Sequence, residues 1–311
     1  MKRDKGSAFV LFCFYVRFEP VGQFILSDTN KMWRTSRRDL DYGDRALVMA
    51  ILNVTPDSFS DGGTIVSVDD ALSQADKFIS DGADIIDVGG ESTRPGSLRV
   101  SVDEEMRRVV PVIEAIAKRF DIPISVDTSK AEVAEGAVAA GAEIINDISG
   151  LRYDVRIGSV AANAGAGIVL MHSRGDFESM HSQEPATDIM TEVSDGFRVA
   201  LEKAKNLGIA DQSVALDVGI GFGKTPEQNL ELLAKLDKLI AEFPDHPFVV
   251  GASRKSFIGR ILDEPEPARR VTGSVAAGVI AVERGAAIVR VHDVKDTAQA
   301  ISIVYAIRAR N

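Results

Sequence analysis

The strongest constraint on the fold is a repeating pattern that begins near residue 46. Short apolar runs rich in β-branched residues alternate there with longer helical stretches. There are eight such runs: LVMAIL (47–52), IIDVG (85–89), PISVD (123–127), EIIND (143–147), GIVLMH (167–172), VALDV (214–218), FVVGAS (248–253) and AIVRVH (287–292). Strands that alternate with helices form a parallel sheet, because each return needs a crossover connection. Eight units in roughly 250 residues are the size of a (β/α)₈ barrel. We therefore predict an α/β fold, a (β/α)₈ TIM barrel over residues 46–311, with a doubly wound open sheet as the alternative.

The helical stretches carry their own start and stop signals. Ser67 and the segment SVDE (101–104) fit N-terminal caps, the latter as a capping box. Thr225 is followed by Pro226 at the expected first helical position. Glycines lie where four helices should end, at Gly82, Gly141, Gly208 and Gly285. Each is followed within a few residues by a new apolar run, which agrees with the barrel prediction.

Residues 1–45 precede this repeating pattern and are predicted to form an N-terminal extension. The segment FCFYVRFEPVGQFIL (12–26) has a turn signal, PVG, between two apolar runs and fits a β-hairpin that covers apolar surface on the barrel. A partly disordered arm is the alternative, and the sequence does not choose between them.

Composition restricts the class of partner. The net charge of −10 argues against a general nucleic-acid binder, and no apolar run reaches the length of a membrane span. A single cysteine, Cys13, excludes an internal disulfide framework and a cysteine-based zinc site, and it fits a reducing compartment. We expect a cytoplasmic protein that acts on small molecules, without nucleic-acid or membrane partners.

Each of the eight apolar runs ends in polar or ionisable residues. These are Asn53, Asp87, Asp127, Asn146 with Asp147, His172, Asp217, Ser253-Arg254-Lys255, and Arg290 with His292. Active sites of such barrels lie at the carboxyl ends of the strands. Any single residue of this set has a simpler explanation; Asp127 could cap a helix and Arg254 could form a surface salt bridge. The coincidence over all eight runs predicts an active site at this rim.

The rim residues suggest a substrate with two kinds of polar group. Asp127, Asn146 and Asp217 offer acceptors and an amide, and paired carboxylates can bind a flat guanidine-like edge. Arg94, Arg254, Lys255 and Arg290 supply positive charge in an acidic protein and so favour anionic substrate groups.

The stretch LDVGIGFGKTPEQN (216–229) resembles a phosphate loop but does not fit that motif. In G-x-x-x-x-G-K-[ST] the first glycine should stand at position 218, which is Val218. Glycines instead alternate at positions 219, 221 and 223. The register is wrong by one residue, so an interpretation as a nucleotide phosphate loop needs support from elsewhere in the chain.

Two long loops, NVTPDSFSDGGT (53–64) and GGESTRPGS (89–97), are rich in Gly, Pro, Ser and Asp and are typical of loops that close over a substrate. With these loops the chain resembles the dihydropteroate synthases of the folate pathway across residues 46–308. The segments that carry the resemblance are ILNVTPDSFSDGG, DVGGESTRPGS, ISVDTSK, IINDISG, LDVGIGFGK, GASRKSFIG and VRVHDVKDT.

The resemblance implies an activity, a metal and a set of site residues. The family joins 6-hydroxymethyl-7,8-dihydropterin pyrophosphate to 4-aminobenzoate, giving 7,8-dihydropteroate and pyrophosphate. It implies Asp127, Asn146, Ile148, Met171, Asp217, Gly221, Phe222 and Lys255 as pterin-binding residues, and Phe59, Thr93, Pro95, Phe222 and Ser253 as aminobenzoate-binding residues. Arg94, Arg290 and His292 would bind pyrophosphate, Asn53 would help to hold Mg²⁺, and Asp61, Arg94, Lys255, Arg290 and His292 would be the catalytic group. A homodimer is also implied, and Lys224 would have an ordinary role near the start of the helix that follows the glycine-rich turn.

Two rivals share parts of this pattern. A methyltetrahydrofolate-binding methyltransferase barrel shares the pterin acids, but it has no need of the two long loops or of Ser253-Arg254-Lys255. A non-catalytic pterin-binding paralogue would be expected to lose loop or pyrophosphate residues, which are present here. The chain departs from the family pattern at Val218, where proline is usual, and at Ser173, where methionine is common. Whether the enzyme is sulfonamide-sensitive or sulfonamide-tolerant stays open.

Overall fold

The computed structural model describes residues 31–55, 67–93 and 96–310. It opens with an antiparallel pair of short strands, β1 (Met32–Arg34) and β2 (Asp39–Asp41). The hairpin predicted within residues 12–26 lies outside the described residues, and the observed pair was not predicted. The division of the chain near residue 46 stays a prediction.

Eight parallel strands form a closed barrel, as predicted. They are β3 (Leu47–Asn53), β4 (Ile85–Gly89), β5 (Ile124–Asp127), β6 (Ile144–Asp147), β7 (Gly167–Met171), β8 (Val214–Asp217), β9 (Phe248–Val250) and β10 (Ile288–Val291). Each strand pairs with its neighbours in the chain, and β10 closes the barrel on β3. All eight apolar runs of the sequence became these strands, and the open-sheet alternative is wrong.

Helices cover the outside of the barrel. They are α1 (Val68–Ser80), α2 (Val102–Arg119), α3 (Ala131–Ala140), α4 (Arg156–Ala164), α5 (Ile189–Asn206), α6 (Pro226–Ala234), α7 (Leu236–Glu242), α8 (Ser256–Leu262), α9 (Val271–Glu283) and α10 (Val294–Arg308). Short 3₁₀ turns lie at Met180–Ser182, Asp211–Ser213 and Pro267–Arg269. No helix in the described ranges combines the length and apolar character that a membrane crossing requires.

The predicted helix signals are largely confirmed. Ser67 caps α1, and Thr225 caps α6 with a full capping box that involves Gln228. Ser101 caps α2, but the Glu104 carboxylate binds two arginines of the following turn, so the predicted capping box forms only in part. The four glycines predicted at helix ends all have positive φ: Gly82, Gly141, Gly208 and Gly285.

The interior of the barrel is filled by apolar side chains at its amino end. One buried cluster consists of Trp33, Leu47, Met49, Ile85, Ile144, Val169, Ala215, Val249, Ala287 and Ile288. Trp33 comes from β1 and is fully buried, and its indole N–H donates to the carbonyl oxygen of Ser213 at 2.9 Å. The β1–β2 pair thus plugs the amino end of the barrel, which leaves the carboxyl end for a site.

Candidate active site

A cavity of about 1080 Å³ opens at the carboxyl ends of the barrel strands. Nine of the residues predicted for the site line it: Asn53, Thr93, Asp127, Gly221, Phe222, Ser253, Lys255, Arg290 and His292. Asn146, Ile148, Met171 and Asp217 are buried at the ends of the neighbouring strands β6, β7 and β8. The predicted residues Phe59, Asp61, Arg94 and Pro95 lie outside the described residues. The remaining residues therefore converge on one rim.

A buried polar network joins residues of four strands, β4, β5, β6 and β10, at the cavity floor. Arg290 Nε donates to Asp87 Oδ2 at 2.6 Å, and Arg290 Nη2 donates to Asp127 Oδ2 at 2.7 Å. Asn146 Nδ2 donates to the same Asp87 oxygen at 3.2 Å. Buried charges are tolerated when they are paired. The acidic and basic groups are thus interleaved, whereas the sequence suggested separate binding regions for them.

This network shifts the protonation of its members. Burial raises the pKa of Asp127 to about 7, although the Arg290 guanidinium opposes the shift, and the Asp87 and Glu105 carboxylates add to it. Burial acts in the opposite sense on Arg290, yet the carboxylates of Asp87 and Asp127 hold the pKa of Arg290 above its ordinary value. Asp127 does not cap a helix, because α3 begins at Ala131 with Lys130 as its cap residue. An acid with a pKa near neutrality at a cavity wall is a feature of functional sites.

Asp217 and Lys255 lie on the opposite side of the floor. Asp217 Oδ1 accepts from the backbone N–H of Gly219 at 2.7 Å, and burial raises the pKa of Asp217. The Lys255 ammonium lies 4.1 Å from the centroid of the Phe222 ring. Burial and the Arg290 charge lower the pKa of Lys255 to about 8, against the attraction of Asp217 and Asp127. A Cβ on Gly221 would meet Lys255 Cδ at 3.1 Å, so the glycine leaves room for this lysine stem.

An apolar wall stands beside these polar groups. Ile148, Met171 and Phe222 belong to one buried cluster, which also contains Phe177 and Met180. Phe177 and Met180 come from the loop after β7 and were not predicted for the site. A flat ring would find an apolar face here and polar partners at its edge.

The turn after β8 is held by a lysine. Lys224 Nζ donates to the carbonyl oxygens of His172, Gly219 and Phe222 at 3.0, 2.9 and 3.1 Å. Burial lowers the pKa of Lys224 to about 7, although Asp217 and Glu192 oppose the shift. Lys224 therefore holds the ends of β7 and β8 together through backbone carbonyls. The sequence analysis expected only an ordinary role for this lysine.

The ends of β9 and β10 are connected through hydroxyl and carboxylate groups. Ser253 Oγ lies 3.1 Å from His292 Nδ1, and the His292 backbone N–H donates to the same hydroxyl at 3.2 Å. Arg254 forms an ion pair with Asp293, with its Nε 3.0 Å from Asp293 Oδ2. The salt-bridge interpretation of Arg254 is confirmed.

Among the described residues, few side chains at this rim could bind a metal ion. No group of three or more His, Cys, Asp or Glu side chains that could hold an ion occurs within residues 31–55, 67–93 and 96–310. Asn53 offers one amide oxygen at the cavity wall. Mg²⁺ is commonly held by one or two protein oxygens together with substrate phosphates and water. The donors present fit a metal that enters with a phosphorylated substrate.

Asp87 and the aromatic residue Phe177 are the clearest omissions of the sequence analysis. Asp87 was noted at a strand end but received no role. Its signal was a carboxylate inside the apolar run IIDVG, which needs a buried partner. Phe177 carried no such signal, because its loop has no periodic pattern.

The chain is similar to known proteins over most of its length. A family model described as pterin binding enzyme matches residues 49–292. Dihydropteroate synthase of Synechocystis sp. is 47% identical over 267 residues, covering 86% of this chain and 92% of the relative. Dihydropteroate synthase of Escherichia coli (strain K12) is 49% identical over 261 residues, covering 83% and 90%.

Solved structures agree with these relatives. Yersinia pestis dihydropteroate synthase in a sulfonamide drug complex matches with a TM-score of 0.84 and 46% identity, over 89% of this chain and 99% of that one. Xanthomonas albilineans dihydropteroate synthase with 4-aminobenzoic acid matches with a TM-score of 0.84 and 42% identity, over 90% and 99%. Together with the rim of carboxylates, amide and cations on a closed barrel, these matches show that the chain belongs to the pterin binding enzymes and, among them, to the dihydropteroate synthases.

Proposed function

We propose that the rim cavity binds dihydropterin pyrophosphate on its floor and 4-aminobenzoate nearer its mouth, and joins them to 7,8-dihydropteroate. One observation carries the proposal: Asp127, Asn146, Asp217 and Lys255 meet at the floor of the cavity whose wall also holds Arg290 and His292. The carboxylates and amide suit the amino-pyrimidinone edge of a pterin, and Ile148, Met171 and Phe222 suit its ring faces.

Arg290 gives the site a way to couple pterin and pyrophosphate. In the described structure its guanidinium is held by Asp87 and Asp127. Pterin N–H groups that bind Asp127 compete for the oxygen that holds Arg290 Nη2. The released end of the guanidinium is then available to phosphate oxygens, while its Nε stays with Asp87. Binding of the pterin would thus prepare the cation that the leaving group needs.

The chemistry needs no strong base. The bond between the pterin methylene carbon and the pyrophosphate oxygen breaks, and the electron pair leaves with pyrophosphate. The resulting cation is stabilised by the pterin and, by the family pattern, by the Asp61 carboxylate. The amine of 4-aminobenzoate is neutral at pH 7 and attacks the methylene carbon, and the new C–N bond forms as one proton passes from the nitrogen to water. Thr93, Phe222 and Ser253, with Phe59 and Pro95, are the residues proposed for its slot.

The pyrophosphate end is assigned to Arg290, His292 and Arg94, with Asn53 as the protein ligand of Mg²⁺. When bound, Mg²⁺ would neutralise charge on the departing phosphates. Ser253 orients His292 through its hydroxyl at 3.1 Å, which keeps one ring nitrogen engaged and directs the other side of the ring away from Ser253.

A homodimer and a cytoplasmic location complete the proposal. Ile280 on α9 and Ile303 and Ile307 on α10 are large apolar side chains that are half exposed or more. Helices α9 and α10 pack together, so these side chains lie on neighbouring elements. A second copy of the chain would cover them.

The test is a product assay followed by ligand titration. The purified protein with both substrates and Mg²⁺ should form dihydropteroate and pyrophosphate; a protein that binds pterin without product would be a silent paralogue. Asp127→Asn and Asp217→Asn should each weaken binding of a pterin analogue by about 1.5–3 kcal/mol, typical of a charged hydrogen bond. Asp211→Asn is the matched control, because Asp211 is exposed just before β8. Unchanged pterin affinity in both site variants would refute the proposed pterin position.

A further inference from the structure

We propose that Arg99 is a positioning residue that fastens the loop between β4 and α2 to the apolar wall of the cavity, and so sets the affinity for 4-aminobenzoate. This inference rests on the proposed function. Arg99 Cζ lies 4.8 Å from the Phe177 ring centroid and 5.6 Å from the Tyr153 ring centroid. Its Nη2 also donates to Ser129 Oγ at 3.3 Å. One side chain therefore contacts the loops that follow β5, β6 and β7.

The two rings connect Arg99 to the proposed ligand wall. Phe177 is buried in the cluster that contains Phe222, and Tyr153 packs against that cluster. Phe222 is a proposed slot residue, and Thr93 lies on the loop that carries Arg99. The Arg99 guanidinium therefore connects the two sides of the slot. Thr93, on one side, belongs to the same loop as Arg99, and Phe222, on the other side, belongs to the cluster of the Phe177 ring that Arg99 covers. A guanidinium over aromatic faces is attracted by the negative potential of the rings, which favours this placement of the loop.

The base of the same loop is anchored separately. Glu91 Oε1 accepts from the Val100 backbone N–H at 2.6 Å and from Lys130 Nζ at 2.8 Å. Lys130 also binds the buried carboxylate of Glu105. These contacts hold both ends of the loop without Arg99. Removal of the Arg99 side chain should consequently change the direction of the loop over the cavity while the fold and the pterin floor remain intact.

The measurement is steady-state kinetics of the full chain with each substrate varied in turn. Arg99→Ala should raise KM for 4-aminobenzoate about three- to thirtyfold, which is about 0.7–2 kcal/mol at 1.4 kcal/mol per tenfold change, and change kcat less than about twofold. The KM for dihydropterin pyrophosphate should stay within about twofold. Arg99→Lys keeps the charge over the rings and should recover part of the aminobenzoate affinity. A merely structural defect would move both KM values and kcat together.

Arg119→Ala is the matched control. Arg119 also stacks on an aromatic ring, with its Cζ 5.4 Å from the Phe120 centroid, but it lies at the opposite end of α2. This variant should have wild-type kinetics. Phe177→Leu should reproduce the Arg99→Ala effect, and the double variant should be no worse than either single one.

Equal aminobenzoate KM values for wild type and Arg99→Ala would overturn the proposal, as would additive effects of Arg99→Ala and Phe177→Leu. Wild-type activity separates this failure from that of the proposed function. If the wild type makes no dihydropteroate, the function is wrong; if it does and Arg99→Ala is unchanged, only the role of Arg99 is wrong.

Discussion

Replacing Gly219 by alanine should test how tightly the turn after β8 packs against the end of β7. Gly219 has φ +65°, and a Cβ there would lie 1.9 Å from the carbonyl oxygen of His172. Ordinary contacts of a Cβ atom begin at 3.4 Å, so the two segments would have to separate by about 1.5 Å. That movement breaks the bond from His172 N–H to the Asp217 carbonyl at 2.9 Å and pulls the His172 carbonyl away from Lys224.

Gly165→Ala is the control that measures the cost of the left-handed backbone conformation without a steric clash. Gly165 has φ +62° and open space around its Cβ position. A left-handed alanine costs about 1–2 kcal/mol, of which about 0.4–1 kcal/mol is recovered from the unfolded chain. Gly165→Ala should therefore lower the free energy of unfolding by about 1 kcal/mol.

Gly219→Ala should lose at least about 3 kcal/mol more, the sum for one neutral and one charged hydrogen bond with their partners left buried. Denaturant unfolding of the two variants measures the difference, and the slope of the transition shows whether the unfolded reference has changed. Calorimetry with a pterin analogue should also show weaker binding only for Gly219→Ala, because Asp217 is two residues away. Losses within about 1 kcal/mol of one another would refute the idea of a tight, rigid contact.

Three further perturbations follow from single contacts. Thr225→Ala removes the cap of α6 and should cost about 1 kcal/mol in denaturant unfolding; an unchanged midpoint would contradict this. Trp33→Ala should lower the free energy of unfolding by about 3–5 kcal/mol, because a fully buried side chain and its hydrogen bond to Ser213 are lost. A decrease below about 1 kcal/mol would show that the β1–β2 pair does not plug the barrel. Burial, with the neighbouring Lys224 charge, lowers the pKa of His172 to about 2, so below pH 6.5 only the unfolded chain binds this proton. The loss of stability from this group should be about 1.6 kcal/mol in all between pH 6.5 and pH 5, with the slope approaching about 1.4 kcal/mol per pH unit at the acid end; His172→Gln should remove that slope and the control His246→Gln should keep it.

The barrel could be predicted because its information is local. Each strand is a short apolar run, and the starts of α1, α2 and α6 are marked by the hydroxyl caps Ser67, Ser101 and Thr225. The right-handed crossover that joins parallel strands then leaves few topologies for eight such units. The β1–β2 pair could not be predicted in this way, because three-residue strands carry almost no periodic signal. The burial of Trp33 depends on a hole that exists only after the barrel closes.

The rim was predicted as a set of residues but not as a network. Strand ends of a parallel barrel meet at one edge, so the types of side chain could be listed from the sequence alone. Their partners could not, because Arg290 binds Asp87 and Asp127 across separations of 203 and 163 residues. Which carboxylate a guanidinium reaches depends on strand register, and a sequence does not give that register. The predicted separation of acidic and basic groups was therefore replaced by direct pairing.

The glycine-rich stretch after β8 resembles a phosphate loop in sequence, yet its residues are explained by packing beside the cavity. Its alternating glycines match no phosphate loop, and the structure gives each position a steric reason instead. Gly219 is small because the His172 carbonyl passes over it, and Gly221 is small because the Lys255 stem lies across it. Lys224 then binds that same His172 carbonyl. Val218, where the family usually has proline, is fully buried in the main core, so an apolar side chain fills that position without a fixed ring. The stretch thus places Phe222 at the cavity wall with Asp217 buried before it, and its lysine and glycines serve backbone packing.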